Sequence, residues 1–185
     1  MEYDPRALQN KELFENYRDE REDWDSQARK DLDFYLGNHF TEDESDELQS
    51  RNQADVPMDR VSPAVEKLKS FMTARPPVFT ALPREDSDSN MAKVWQTILG
   101  SVWESSDGDS QIKQAIHDFA TVGIGYLYTY IDPEADMGRG DVRFTHINPF
   151  RVYVPPSSRD RWFSDADSII LSTILTGEQI VNLYP

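Results

Sequence analysis

The fold class is decided by the stretch from Ser110 to Ile147, which reads, in order, SQIKQAIHDFATV, GIG, YLYTYID, PEADMGRG and DVRFTHI. Its first part carries apolar residues every three or four positions, which predicts a helix from Ser110 to Val122. Four of its residues should face inward: Ile112, Ala115, Ile116 and Phe119. Gly123 and Gly125 should end this helix, because glycine readily takes the backbone conformation that follows a helix.

The second part of the stretch predicts two antiparallel strands. Aromatic and β-branched residues dominate Tyr126 to Ile131, as they do in strands, and a polar turn follows from Pro133 to Gly140. In the returning segment Asp141 to Ile147, Val142, Phe144 and His146 alternate with Arg143 and Thr145, so one side of this strand should be buried. A helix that leads into a short hairpin predicts an α+β fold with a small, mostly antiparallel sheet.

Upstream of this stretch, the apolar pattern predicts one long helix from about Leu8 to Leu36. Apolar residues recur in steps of three, four or seven, with a polar gap at Arg21. The apolar stripe consists of Phe14, Tyr17, Trp24, Ala28, Leu32 and Tyr35. Because the opposite face is charged, this helix should pack along one side only, either on its own domain or on a neighbouring subunit.

The segment between residues 38 and 59 lacks periodicity and is interpreted as a loop, which includes the acidic run Glu42 to Glu47. Such a run is usually a solvated surface, and the alternative is a wall that repels nucleic acid. After the loop we predict a helix capped by Ser62 and ended by Pro76, then a short strand from Val78 to Leu82. The buried side of this helix should consist of Val65, Leu68 and Met72.

Another predicted helix precedes Ser110 and forms an αα-hairpin with the helix that begins there. Its apolar face consists of Met91, Val94, Trp95, Ile98, Leu99 and Val102. Trp95 is therefore expected in the core, whereas Trp103 lies off this face. At the C-terminal side, Arg151 to Val154 and Ser168 to Leu175 are predicted strands.

A capping-box pair, Thr176 and Gln179, opens a last helix. Because the sequence stops shortly after this helix begins, we expect it to belong to a longer protein.

The composition argues against several classes of protein. Charged residues make up 29% of the 185 residues, hydrophobic residues 38%, and the net charge is −15, whereas a duplex-DNA reader normally carries a basic surface. The chain has no cysteine, which excludes disulfides and cysteine-based metal sites. No apolar run approaches the roughly 18 residues of a membrane span, and the polar N-terminus does not resemble a signal peptide. We expect a protein kept in a cytoplasm-like compartment, with no membrane partner.

Few residues follow patterns typical of catalysis. The histidines match no metal-ligand spacing and are interpreted as structural or surface residues: His39, His117 and His146. Asp165 and Asp167, with Asp160 nearby, are the best candidates for a metal-dependent hydrolase or nuclease. Because a DxD pair is common in polar loops, we expect no catalytic residue, no cofactor and no metal.

Aromatic and basic residues lie together in the polar loop from residue 157 to 167. Trp162 and Phe163 stand beside Arg159 and Arg161, and exposed aromatic residues flanked by arginine are typical interface anchors. Burial of these rings in the core is the open alternative. With Trp24 of the first helix, these four residues are the candidate subunit or partner interface.

From Arg51 onward, the order of features resembles that of the portal proteins of short-tailed bacteriophages. The shared features are a helix that ends in Arg75-Pro76-Pro77, the glycine-led strand Gly123-Ile124-Gly125-Tyr126-Leu127, the stretch Ile147-Asn148-Pro149-Phe150-Arg151-Val152-Tyr153, Ser164-Asp165-Ala166-Asp167, and Thr176-Gly177-Glu178-Gln179 before Tyr184-Pro185. The sequence departs from the family pattern at Pro155-Pro156-Ser157, where the family often has Asp-Pro-Ser.

This resemblance implies a structural subunit with no chemistry of its own. Residues 51–185 would be the N-terminal part of the wing domain, preceded by an acidic helix and loop in residues 1–50, and the chain would continue beyond residue 185. The family implies a dodecameric ring at one capsid vertex of the virion, assembled in the host cytoplasm. The implied partners are the terminase motor, the head-tail adaptor, the major capsid protein and double-stranded DNA, which would pass through during packaging and ejection without sequence-specific binding. The alternatives are the hydrolase described above and another phage scaffold or adaptor protein.

Overall fold

The computed structural model describes residues 5–83, 85, 88–160 and 162–183. Within these ranges the chain forms eight helices, one of them a four-residue turn, and four short strands in two antiparallel sheets. The helices are α1 Pro5–Glu20, α2 Glu22–Leu36, α3 Glu42–Ser50, α4 Val61–Met72, α5 Ser89–Ser105, α6 Gly108–Val122, α7 Ala135–Gly138 and α8 Gly177–Leu183. The strands are β1 Tyr126–Asp132, β2 Asp141–Ile147, β3 Val152–Tyr153 and β4 Ile170–Leu171. The predicted α+β class is confirmed.

The chain divides into two compact units. One combines both ends of the sequence, Met1–Gln27 and Pro149–Pro185, and the other is the continuous segment Ala28–Asn148. In the described ranges, no helix is long and apolar enough to cross a membrane.

In the unit built from both chain ends, α1 packs on strand β3. The Phe14 ring meets the Tyr153 ring edge-on, with centroids 4.8 Å apart, and the Tyr17 hydroxyl lies 3.1 Å from the Ser168 hydroxyl. Tyr17, Val152 and Tyr153 are buried. The part of the predicted apolar stripe that lies in this unit, with Phe14 and Tyr17, therefore packs on β3 and its surroundings.

The single helix predicted for residues 8–36 is two helices in the structure, with a break at Arg21. The Arg21 amide donates to the Arg18 carbonyl, three residues back, at 3.1 Å. Neither proline nor glycine causes this break. The Arg21 side chain instead leaves the helix surface to bind backbone carbonyls of residues 149–152.

In the continuous unit, α4, α5 and α6 pack with the β1–β2 hairpin. Small and β-branched side chains fill the buried contacts, which are Val65 of α4, Ala92 of α5, and Ala115 and Val122 of α6. Gly125 passes so close to α6 that a Cβ there would lie 2.0 Å from the Ala115 carbonyl oxygen. This glycine is therefore required for the hairpin to reach the helix.

The hairpin is antiparallel, as predicted, and its register runs from Tyr126 opposite Ile147 to Asp132 opposite Asp141. The turn between its strands contains the short α7, in which Asp136 and Met137 take positive φ values of 49° and 58°. In the other unit, β3 and β4 pair over only two residues each. The buried strand predicted for Ser168 to Leu175 is thus reduced to Ile170–Leu171, and Leu171 is exposed.

Two predictions for residues 38–82 are wrong. The acidic run is not a loop but helix α3, which Thr41 and Glu44 stabilise with reciprocal capping hydrogen bonds. The segment from Val78 to Leu82 is extended but forms no strand pair within the described residues.

The start of α4 also differs from the prediction. The Asp59 carboxylate caps this helix by accepting from the amides of Val61 and Ser62, each at 3.0 Å. The Ser62 hydroxyl, predicted as the cap, instead donates to the Tyr35 carbonyl at 2.5 Å. It therefore ties the end of α2 to the start of α4.

Candidate subunit interface

The loop that carries most of the predicted interface residues presents an exposed indole. The Trp162 side chain is 80% exposed, and Phe163 beside it is partly buried, with a positive φ of 57°. The Arg159 guanidinium donates to the Pro156 carbonyl at 2.8 Å, so it lies along the loop. Arg161 lies outside the described residues.

Two carboxylates hold this loop in shape. Asp165 accepts from the Ser158 hydroxyl at 2.7 Å and from the amides of Arg159 and Asp160 at 2.6 and 3.1 Å. Asp160 accepts from both the amide and the hydroxyl of Ser164. The amide of Arg159 is the main cause of a lowered pKa at Asp165, and the Ser164 hydroxyl is the main cause at Asp160. The carboxylates therefore serve as acceptors that fold the loop around Trp162.

This arrangement argues against the metal-dependent hydrolase. Both Asp165 oxygens already accept hydrogen bonds from the loop, whereas a metal site needs carboxylate oxygens that converge on one point. In the part of the chain that the structure describes, no group of three or more histidine, aspartate or glutamate side chains is placed to hold a metal ion.

Each of the three histidines contacts a different residue, and the three contacts are separate. His146 of β2 is 2.5 Å from the Asp118 carboxylate of α6, and the His117 ring meets the Tyr35 ring edge-on at 5.0 Å. His39 stacks on Phe34 at 5.1 Å. Each histidine thus has a structural partner, as the sequence predicted.

Trp24, the candidate on the N-terminal helices, is half-buried in a cluster around Arg21. Its ring is 5.5 Å from the Phe150 ring, and the Arg21 guanidinium carbon lies 5.1 Å from the indole centroid and 4.0 Å from the Tyr153 centroid. This stacking suits a guanidinium, whose flat cation is attracted to aromatic faces.

Arg21 also binds three backbone carbonyls. Its guanidinium donates to Pro149 and Phe150 at 3.2 and 3.1 Å, and also to Val152. The Asp25 carboxylate, one turn along α2, lies 2.9 Å from the Arg21 guanidinium and balances its positive charge. A planar fork with five donors can satisfy several acceptors at once. In the sequence, Arg21 appears only as a polar gap in an apolar stripe.

The predicted core face of α5 is exposed in the structure. Trp95 is 54% exposed, and its apolar neighbours on the same helix are 40% exposed or more. These neighbours are Met91, Val94, Ile98 and Leu99. The prediction that Trp95 lies in the core is wrong, because α5 packs on the hairpin through a different side. We call these five residues the α5 apolar face.

Trp103, which lies off that face, is partly buried against two other aromatic rings. Its ring is 5.1 Å from the Phe79 ring and 5.1 Å from the Phe144 ring of β2, and its indole nitrogen donates to Asp109 at 3.1 Å. Gly108 lies so close beneath it that a Cβ would be 2.3 Å from the indole. The missed signal was this glycine, five residues after the tryptophan.

Other apolar residues predicted to be buried are also exposed. Leu68 and Met72 of α4 are each 44% exposed, and Phe119 of α6 is 50% exposed. Of the predicted buried sets of α4 and α6, only Val65 and Ala115 are buried. Where exposed apolar side chains form a large contiguous patch, they mark contact surfaces in folded proteins.

Most of the chain matches one known protein family. The family model of the Phage P22-like portal protein matches residues 11–185. The chain belongs to the P22-like portal protein family. The match begins within α1, so the N-terminal helices belong to the family region together with the segment from residue 51 onward. No curated protein sequence matches the chain significantly.

Membership of this family confirms the predicted resemblance to bacteriophage portal proteins. The protein is a bacteriophage structural component, part of the head-tail connector. The alternative of an unrelated scaffold or adaptor is thereby set aside.

Proposed function

We propose that this chain forms part of the subunit of a dodecameric portal ring at one vertex of the phage capsid. The ring would assemble in the host cytoplasm and would be the conduit for DNA during packaging and ejection. It would dock the terminase motor and later the head-tail adaptor, and it would contact the major capsid protein. The observation that carries this proposal is the portal family match over residues 11–185.

The exposed apolar surface supports assembly. A ring requires that one surface of each subunit meets a different surface of the next. The α5 apolar face, with Trp95 at its middle, offers such a surface. We further propose that residues 51–185 are the first part of the wing domain and that residues 1–50 are a segment that precedes it.

The charge of the chain supports a passive conduit. Protein contacts to DNA phosphates come chiefly from lysine and arginine, and this chain has a net charge of −15. The five carboxylates of the acidic run lie on the exposed helix α3. A surface of this sign repels the phosphate backbone, so DNA would pass without sequence-specific binding. The chain would have no enzymatic activity of its own.

Native mass spectrometry and negative-stain imaging of the complete portal subunit, of which this chain is the proposed part, test the ring. We expect closed rings with a mass of twelve chains. A chain that stays monomeric at about 100 µM, far above the roughly micromolar dissociation constants of weak specific complexes, would contradict the proposal.

The interface residues are tested in the same assay. We propose that Trp162, with Arg159, Arg161 and Phe163 around it and with Trp24, contacts a neighbouring subunit or a docking partner. Trp162→Ala should then weaken the ring or its binding of that partner by at least about tenfold, which corresponds to the 1.4 kcal/mol or more expected of an aromatic anchor. Met137→Ala is the matched control, since Met137 is fully exposed in the hairpin turn. Equal behaviour of the two variants would remove Trp162 from the interface.

A further inference from the structure

The β1–β2 hairpin has one closed edge and one open edge. On the outer side of β2, the Phe144 amide donates to the Ser106 hydroxyl at 3.2 Å, and the His146 amide donates to the Gln111 side chain at 2.7 Å. These side chains from the α5–α6 connection and from α6 occupy the outer amides of β2. The outer side of β1 has no equivalent cover among the described residues.

The register shows which β1 residues face outward. Antiparallel pairs alternate between those that exchange two hydrogen bonds and those that exchange none. Because the amides of Phe144 and His146 point away from β1, their partners Thr129 and Leu127 belong to pairs without mutual hydrogen bonds. By the same alternation, Ile131 opposite Val142 does too. The N–H and C=O groups of Leu127, Thr129 and Ile131 therefore point outward.

This open edge lacks the features that usually prevent pairing. Proteins protect edges with lysine, proline, bulges or a covering segment. The strand YLYTYID contains neither lysine nor proline and runs seven residues in unbroken register. Leu127 is 45% exposed and Ile131 is 72% exposed. An uncovered edge of this length can accept another strand.

The chain also contains a strand-like segment without a partner. From Val78 to Leu82 the residues alternate between exposed and partly buried: Val78, Thr80 and Leu82 are exposed, and Phe79 and Ala81 are partly buried. None of these five residues takes part in a backbone hydrogen bond to another segment among the described residues. Phe79 holds the segment on Trp103 of α5, and the segment does not pair with β1 of its own chain.

We propose that the open edge of β1 binds the segment from Val78 to Leu82 of a neighbouring copy, as an added antiparallel strand. This inference rests on the proposed ring and names one of its contacts. The two surfaces are different, so the contact is of the heterologous kind that builds rings. Each subunit would give one strand and receive one.

The side chains match in one register. With Thr80 opposite Thr129, Val78 lies opposite Ile131 and Leu82 lies opposite Leu127. Apolar pairs would then flank a threonine pair, and such cross-strand pairs stabilise sheets. Val78 and Leu82 are 83% and 82% exposed in the single chain, so this pairing would cover two of its most exposed apolar side chains.

Charge supports the antiparallel direction. In this register Arg75, which precedes the segment, lies toward the turn end of the hairpin, where Asp132 faces Asp141. Arg75 is exposed and forms no ion pair among the described residues. The parallel direction would instead carry Arg75 toward Gly125, away from these carboxylates.

A disulfide between two different copies tests the register. The chain has no cysteine, so Thr80→Cys and Thr129→Cys each create one thiol. Opposed residues whose outward groups exchange hydrogen bonds lie about 5.5 Å apart at Cα, within the range that a disulfide spans. We expect the mixture of the two variants to form a mixed disulfide dimer on mild oxidation. The control is Thr97→Cys mixed with Thr129→Cys. The yield of the first mixture should exceed that of the control by at least about tenfold, the difference that 1.4 kcal/mol of pairing free energy produces. Thr97 is an exposed threonine of α5, and equal yields would overturn the proposal.

A proline pair separates this contact from the ring itself. Thr129→Pro removes only an outward amide, so the hairpin should fold while the proposed added strand is lost. Tyr130→Pro removes an amide that points to Arg143 and should damage the hairpin itself, which circular dichroism would report. We expect folded Thr129→Pro to assemble at least tenfold more weakly than the unmodified chain. Full assembly of folded Thr129→Pro would overturn the strand contact and leave the ring proposal intact. Absence of rings in the unmodified chain would instead contradict the ring proposal. In that case the cross-linking experiment would still decide whether the strand contact forms.

Discussion

Arg21 shows how one side chain can join distant parts of a sequence. Its guanidinium donates hydrogen bonds to backbone carbonyls more than 125 residues away in the sequence. The same guanidinium lies over the rings of Trp24 and Tyr153. Its side chain is only 15% exposed, so its loss would leave buried carbonyls and the Asp25 carboxylate without their donor. Removal of one partner of a buried charge pair is costly for this reason.

We expect Arg21→Ala to lower the free energy of unfolding by about 3 kcal/mol. Arg21→Lys should recover less than half of that loss, because an ammonium cannot reproduce the planar fork. Urea unfolding followed by tryptophan fluorescence measures both changes. Arg18→Ala is the control, since Arg18 is exposed beside Asp19 and such pairs contribute little. Equal midpoints for Arg21→Ala and Arg18→Ala would show that the cluster does not stabilise the fold.

The loop around Trp162 should respond to acid. The pKa of Asp165 is lowered chiefly by the hydrogen bond from the Arg159 amide, so the ionised form is favoured in the folded loop. The stabilisation is complete above the ordinary aspartate pKa of about 3.9 and is lost as the pH falls through the lower folded value. Trp162→Phe serves as the spectral reference for the indole signal.

Trp162 emission should therefore change with a midpoint below about pH 3.9. In Asp165→Asn the emission at neutral pH should already resemble that of the acid form, because an amide cannot accept as a carboxylate does. Asp167→Asn, an exposed change in the same loop, should leave the titration unchanged. The same curve in all three proteins would mean that Asp165 does not order the loop.

Substitution of glycine by alanine should change the stability of the chain in opposite directions at Gly125 and Gly100. Gly125→Ala places a Cβ 2.0 Å from the Ala115 carbonyl oxygen and should destabilise the chain by about 1–3 kcal/mol, the usual cost of overpacking. Gly100→Ala, inside α5 with open space around it, should stabilise it by about 0.5–1 kcal/mol. Urea unfolding followed by circular dichroism gives both values, and a shift of the same sign in both would contradict this view of the hairpin contact.

At the level of elements, sequence periodicity predicted those segments whose neighbours are close in the chain. The helices α5 and α6 and the strands β1 and β2 lie where the apolar spacing places them. The helix α3 was missed because five of its nine residues are acidic and it buries no side chain. Its capping box, Thr41 with Glu44, was the available signal.

The burial of each element was less predictable than its type. The spacing of Trp95 with its neighbours defines an apolar side of α5 but does not say what covers that side. In the structure Trp103, on another side, contacts Phe79 and Phe144, because these residues are brought together by the tertiary fold. Tertiary contacts of this kind, including those of Arg21, cannot be derived from the spacing of residues along a helix.

The charge of the whole molecule predicts its behaviour toward DNA. We expect no shift of a 200-base-pair duplex in gel electrophoresis at about 0.15 M salt, where the Debye length is about 8 Å. Changing Glu42, Asp43, Asp46 and Glu47 to their amides keeps the Glu44 cap and should increase any weak retention seen at low salt. Tight, salt-sensitive binding by the unmodified chain would contradict the passive conduit.

The two compact units differ in when they can be completed during translation. Ala28–Asn148 is continuous, whereas the other unit needs Met1–Gln27 and the segment that begins at Pro149. A ribosome adds roughly 5–20 residues per second, so Arg21 is made about 6–26 s before Phe150 and Val152. During that interval the Arg21 guanidinium lacks its carbonyls, and the aromatic stripe of the nascent helix is available to chaperones.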